Sequence, residues 1–194
     1  MGLTCEAADA KRRLRARARR QRPPPDAAER GARACRRVLA LPQIESARSV
    51  ALYSAIGSEV RTDAVAAALA ARGVEVGFPR VEGEEIELYR VRSLAELSPG
   101  FRGILEPPGG APLLDPGAID VCLVPGLLFD RVGTRLGRGA GHYDRLLPRL
   151  SRAYSVGLCY ADRVVERLPR APWDRRVDCI VTDDAVIPSG GPGD

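Results

Sequence analysis

The sequence predicts a layered α/β/α fold, with a mainly parallel central sheet and an N-terminal helical segment. Three features carry that expectation. Short apolar runs recur at residues 49–53 (SVALY), 74–78, 120–124 (DVCLV), 154–159 (YSVGLC) and 179–182 (CIVT), with the unbroken apolar character of strands buried on both faces. Helical stretches fall between them, and such alternation produces a parallel sheet covered by helices. Residues 49–78 are themselves a strand–helix–strand unit, which calls for parallel strands joined by a right-handed crossover.

Each element has its own grounds. Residues 6–21 are rich in alanine and arginine, both good helix formers, and the run Pro23-Pro24-Pro25 stops that first helix. Asp26 stands where an N-cap belongs; a second helix over residues 27–41 buries Ala34, Val38 and Leu41. Thr62 caps a third helix through Asp63, Val65, Ala66, Leu69 and Ala70, and Gly73 ends it. Residues 86–91 (IELYRV) alternate like a half-exposed strand, and residues 93–97 make a helical turn. Residues 99–117 are dense in glycine and proline and therefore irregular. The strand at 120–124 is followed by a glycine-rich, basic segment, residues 125–141. A helix begins near His142, with Tyr143, Leu146, Leu147 and Leu150 on one face and Pro148 shortening it. A short helix is expected over residues 163–168, before the last strand. The chain reads as one domain over residues 1–187 with a disordered tail at 188–194 (PSGGPGD).

Composition narrows the function. With 194 residues, 45% hydrophobic and 28% charged, the chain has the make-up of a soluble globular domain. No apolar run approaches the ~20 residues of a membrane span, and residues 1–10 lack a signal-peptide core. The early arginines suit a transit peptide, but Glu6 and Asp9 oppose that reading, so a cytoplasmic protein is expected. Cys5, Cys35, Cys122, Cys159 and Cys179 form no CxxC or CxH pattern, which argues against a zinc site or a disulfide framework. The last three sit in apolar runs, as small core residues do. The formal charge is +5, and basic residues crowd the start of the chain; a nucleic-acid arm and a helix that meets phosphates both fit. Lys11 is the only lysine among 30 basic residues.

The chemistry concentrates in Arg135-Leu136-Gly137-Arg138-Gly139-Ala140-Gly141-His142-Tyr143-Asp144, between a buried strand and a helix. Glycines at alternate positions let the backbone approach a ligand closely. Free N–H groups at a helix start attract anions, and Arg135 and Arg138 add cationic donors suited to phosphate oxygens. Asp144 beside bound phosphates implies a Mg²⁺ between them, since magnesium favours one or two carboxylates plus phosphate oxygens. The segment is neither GxxxxGK[ST] nor a dinucleotide-type GxGxxG, because a long loop separates it from the preceding strand.

Residues 124–130 (VPGLLFD), Gly133 and residues 135–145 (RLGRGAGHYDR) resemble the signature of the 5-formyltetrahydrofolate cyclo-ligases, also called methenyltetrahydrofolate synthetases. The resemblance continues in residues 10–15 (AKRRLR), in residues 53–62 with Glu59, in Phe78-Pro79-Arg80, in residues 103–107 (GILEP) and in residues 174–182. It implies an ATP- and Mg²⁺-dependent enzyme that phosphorylates the formyl oxygen of 5-formyltetrahydrofolate, closes the ring and releases phosphate to give 5,10-methenyltetrahydrofolate. By that resemblance Lys11 and Arg15, four apart on one helical face, contact ATP phosphates. Arg135, Leu136, Gly137, Arg138, Gly139, Ala140, Gly141, His142 and Tyr143 wrap the nucleotide, and Arg138 lies where the phosphoryl group moves. Asp144 and Asp174 hold Mg²⁺. Glu59 hydrogen-bonds the pterin, with Ser54, Arg138 and His142 in the same pocket. The expected partners are ATP and 5-formyltetrahydrofolate, which is polyglutamylated in some forms, and the expected state is a monomer.

The chain departs from the family pattern at His142, where tyrosine is usual, at Ala140, and at Trp173, where histidine is common; Trp173 either packs over the metal carboxylate or fills a gap. These departures motivate an alternative, an ATP-binding homologue with altered or lost folate turnover. An RNA-binding protein using residues 11–37 is the less favoured alternative, since that segment has no aromatic residue to stack on bases.

Overall fold

The structure is a computed structural model and describes residues 2–190. Helices α1 (Gly2–Arg19) and α2 (Ala27–Leu39) flank the proline run, and one further turn, α3 (Pro42–Glu45), follows. Then come β1 (Ser49–Ala51), α4 (Asp63–Ala71), β2 (Glu75–Glu82) and β3 (Glu85–Arg90). Inside the proline- and glycine-rich stretch, β4 (Ser98–Pro99) and β5 (Leu105–Glu106) form a small ribbon. The second half holds β6 (Val121–Val124), β7 (Leu128–Asp130), β8 (Arg135–Leu136), α5 (His142–Leu146), β9 (Tyr154–Leu158), β10 (Val164–Val165), β11 (Cys179–Val181) and β12 (Val186–Pro188).

The main sheet has seven strands in the order β12-β11-β9-β6-β1-β2-β3. Its five inner strands are parallel, and β3 and β12 close the two edges antiparallel. Successive side chains point to opposite faces, and the core divides accordingly. Val50, Val121, Leu123, Val156, Leu158, Cys179 and Val181 pack with Val38 of α2, Ile44 of α3 and Leu69 of α4. Ala51, Cys122, Val124 and Ile180 pack on the other face with Phe129, Leu146 and Leu150. Cys35, Cys122, Cys159 and Cys179 are free and buried, and burial pushes the Cys122 thiol up to about 12.

A second, three-stranded sheet, β10-β7-β8, is hydrogen-bonded separately from the first and packs on it through Phe129. Leu14 and Ala18 of α1 pack onto it against Leu127, Leu128, Leu136 and Leu168. That seam carries the first helix to the glycine-rich segment.

Four expectations need correction. Residues 163–168 are not a helix: Val164 and Val165 pair in parallel with Phe129 and Asp130. The long loop expected before the glycine-rich segment is the antiparallel pair β7–β8. The second helix ends at Leu39, and buried Leu41 instead caps α3. The tail does not begin at Pro188: that residue pairs with Cys179, and Ser189 N donates to Asp178 O. Residues 191–194 of that tail lie outside the described residues.

Candidate active site

The glycine-rich segment owes its position to Asp130. This fully buried carboxylate accepts hydrogen bonds from the backbone N–H of Val132 (3.2 Å), Thr134 (2.8 Å) and Leu168 (3.0 Å). It therefore closes the β7–β8 turn and ties that turn to the segment after β10. From there β8 delivers Arg135 to the interior. Its side chain is 5% exposed, its Nη2 donates to Asp144 Oδ1 at 2.7 Å, and its guanidinium lies 5.5 Å from the Tyr143 ring centroid. Leu136 is an anchor: its side chain is buried against α1 and its carbonyl accepts from Leu127 N. Any ligand contact at Leu136 must come from the backbone.

After Leu136 the chain turns through Gly139 (φ 109°) and Gly141 (φ 73°) into α5. Both backbones adopt the left-handed region, where a side chain would add strain. Helix α5 has only five residues, so its dipole adds little, and an anion here would meet mainly the N–H groups and arginines of the segment. Ala140 is exposed in the turn. His142 opens α5, half-buried; burial first, then Arg145, holds its imidazole below the ordinary value against the pull of Glu85.

Helix α1 clamps this turn from outside. Arg15 Nε donates to Gly137 O at 3.0 Å, and Arg19 Nη2 donates to Arg138 O at 2.5 Å. One helical turn earlier, buried Lys11 pairs with Asp174, whose Oδ2 also accepts from Ala171 N at 2.6 Å. Arg175 N reaches Asp144 Oδ1 at 3.5 Å, which sets the two carboxylate-bearing segments side by side. Trp173 is 63% exposed, so it fills no gap.

On the opposite wall, Glu59 is nearly buried, with its side chain 5% exposed. Its Oε2 accepts from Ile56 N at 2.8 Å and its Oε1 from Arg138 Nε at 3.0 Å. Burial raises the Glu59 carboxyl above the usual range, opposed by Arg138 and the Ile56 N–H. Arg138 Nη2 also donates to Ile56 O at 2.6 Å. The loop is fixed at both ends, by Tyr53 Oη donating to Val60 O and Thr62 Oγ1 donating to Tyr53 O. Thr62 thus braces the loop and does not cap α4 with its side chain. Ser54 Oγ donates to Leu105 O, so its hydroxyl is engaged with β5.

A continuous chain of contacts therefore joins Lys11, Arg15, Glu59, Arg135, Arg138, Asp144 and Asp174. Each anticipated anion pairs with an anticipated cation: Lys11 with Asp174, Arg135 with Asp144, Arg138 with Glu59. Among the described residues no three His, Cys, Asp or Glu side chains form a metal cage. The donor set suits a cation that shares its shell with phosphates: among the described residues, Asp144 Oδ2 and Asp174 Oδ1 accept no hydrogen bond. Sequence reasoning assigned no role to Arg19, which holds the Arg138 carbonyl, or to Asp130, although the spacing of Asp130 and Gly133 marks a turn. The concavity of about 240 Å³ bounded by Arg90, Arg92 and residues 108–112 includes none of the anticipated residues.

Comparison with known proteins follows the same lines. The model of the 5-formyltetrahydrofolate cyclo-ligase family matches residues 6–183. A probable 5-formyltetrahydrofolate cyclo-ligase of Schizosaccharomyces pombe is 30% identical over 170 residues, covering 79% of this chain and 83% of the relative. The 5-formyltetrahydrofolate cyclo-ligase of Mycolicibacterium smegmatis is 34% identical over 146 residues, covering 71% and 74%. Among solved structures, the 5,10-methenyltetrahydrofolate synthetase of Aquifex aeolicus is similar with a TM-score of 0.80 at 34% identity, covering 97% of this chain and 95% of that one.

Proposed function

The chain belongs to the 5-formyltetrahydrofolate cyclo-ligase family, and from that premise we propose that it converts 5-formyltetrahydrofolate to 5,10-methenyltetrahydrofolate with ATP and Mg²⁺. The observation that carries the reading is one glycine turn that bears Arg135 and Arg138 and is held by Arg15, with the Lys11–Asp174 pair and Asp144 on one side and Glu59 on the other.

A formyl oxygen is a poor leaving group. Transfer of the γ-phosphoryl group makes it a good one; the neighbouring folate nitrogen then attacks the formyl carbon, the carbon–oxygen bond breaks, and phosphate departs. Such a reaction depends mainly on positioning and on spreading phosphoryl charge. Lys11, Arg15 and the N–H groups of residues 136–143 hold the triphosphate, and Arg135 shapes the turn from beneath. Arg138 neutralises charge on the transferred group. Asp144 and Asp174 hold Mg²⁺, which when bound offsets phosphate charge. Glu59 grips the amidine-like edge of the pterin, with Ser54 at the rim. His142 stands where the family has tyrosine and offers its imidazole as a stacking surface.

In this reading the enzyme is a cytoplasmic monomer that takes folate with or without a polyglutamate tail and has no nucleic-acid partner. Among the described residues no helix is long and apolar enough to cross a membrane. Purified protein mixed with ATP, Mg²⁺ and 5-formyltetrahydrofolate tests the reaction. An ATP-dependent rise in the near-ultraviolet absorbance of methenyltetrahydrofolate is expected. ATP binding without that rise would leave the altered-homologue alternative, and salt-sensitive RNA binding without nucleotide binding would leave the other.

A further inference from the structure

Arg138 makes a contact pattern that its phosphate role does not explain. Its Nε and Nη2 donate side by side, to Glu59 Oε1 at 3.0 Å and to Ile56 O at 2.6 Å. A guanidinium presents planar N–C–N geometry with parallel N–H donors. The 2-amino-pyrimidinone edge of a pterin presents the same pattern. We infer that the Arg138 guanidinium is a resident surrogate for the pterin edge. Glu59 and the Ile56 carbonyl form one recognition subsite that the folate and Arg138 occupy in turn. The inference rests on the proposed reaction and extends it by adding the Ile56 carbonyl to the pterin subsite and by making Arg138 the link between the two substrates.

The surroundings support exchange. The Arg138 side chain is about a third exposed while Glu59 is nearly buried, so the guanidinium can leave and the carboxylate cannot. The backbone under it is pinned, by Arg15 at Gly137 O and Arg19 at Arg138 O. A side-chain swing thus needs no loop movement. Gly57 (φ 64°) passes close by, and even a Cβ there would stand 3.8 Å from Arg138 Nη2, at ordinary contact distance. A pterin seated on Glu59 releases Arg138 toward the phosphates. Phosphates that attract Arg138 leave Glu59 without its cation, and only a ligand with matching donors restores it. Each substrate therefore favours the other, and the effect is reciprocal by linkage.

The test measures 5-formyltetrahydrofolate affinity by calorimetry with and without a non-hydrolysable ATP analogue and Mg²⁺. Wild-type protein should bind folate about tenfold more tightly with the analogue present, a coupling of about 1.4 kcal/mol. Arg138→Ala should bind both ligands but show a ratio near one, and Arg138→Gln should do the same. Equal folate affinities in wild type, or a tenfold ratio retained by both variants, overturns the exchange. Failure of wild type to bind folate at all overturns the proposed reaction instead, so the two failures are distinct.

Discussion

Lys11→Met probes the pair that seals the site from the helix side. The Lys11 and Asp174 side chains are each 9% exposed, and removing one member of a buried ion pair costs about 3–5 kcal/mol. Two features soften the loss. Asp174 Oδ2 keeps the Ala171 N–H at 2.6 Å, and methionine retains the apolar packing of the lysine stem. A cost of about 2–3 kcal/mol is therefore expected, and at about 2–4 °C per kcal/mol for a chain of this size the melting point should fall by about 4–12 °C. Asp174→Asn should cost a similar amount, and the double variant should recover part of it, with a coupling energy of about 1–3 kcal/mol. Scanning calorimetry supplies all four numbers. Repeating it with nucleotide and Mg²⁺ separates function from packing, because ligand at a hundredfold excess over Kd stabilises by about 2.7 kcal/mol. Lys11→Met should lose much of that increment. A melting point unchanged in Lys11→Met, or strictly additive single effects, would refute the pairing.

The other predictions concern the turn, the carboxylates and the core. Arg138→Ala should lower kcat by about 10²–10³ while the melting point moves by only a few degrees; turnover near wild type would contradict its role at the phosphoryl group. Asp144→Asn should need several times more Mg²⁺ for half-maximal turnover, and an unchanged titration would remove the metal assignment. Burial raises the Glu59 carboxyl, so its contribution to stability is fully present below the unfolded carboxylate pKa and is lost as pH rises through the folded value. Glu59→Gln should accordingly melt higher than wild type at pH 8, lose that advantage on acidification and turn over poorly; a pH-independent difference would count against the raised pKa. A Cβ at Gly157 would stand 2.5 Å from the buried Phe129 ring, so Gly157→Ala should cost about 1–3 kcal/mol, and pairing it with Phe129→Leu should shrink the loss in denaturant unfolding.

The apolar runs were legible because burial on both faces leaves them unbroken: Val50 faces one side of the sheet and Ala51 the other, and both are fully buried. The small sheet was not legible. Its strands are two or three residues long, too short for any periodicity. Residues 163–168 (RVVERL) have helical composition, yet the buried Asp130 carboxylate takes the Leu168 N–H and Phe129 pairs with Val164. Tertiary partners overrode local preference there. At the site, the singular Lys11 and the glycine turn were visible, and the structure brings them together through α1. What could not be read was the pairing. Three cations and three anions meet one to one; Arg135 and Asp144 are close in the chain, but Lys11 and Asp174, and Arg138 and Glu59, are far apart, and no spacing rule encodes contacts across such distances. Leu136 shows the same gap, lying inside the glycine-rich segment yet buried as an anchor.

A crystal structure with a non-hydrolysable ATP analogue and Mg²⁺ tests the nucleotide cradle most directly. Phosphate oxygens should lie within hydrogen-bond distance of Lys11, Arg15 and the backbone N–H groups of the turn, with Asp144 and Asp174 beside the metal. Well-ordered nucleotide bound elsewhere, with the turn still facing solvent and Lys11 still on Asp174, would contradict the account.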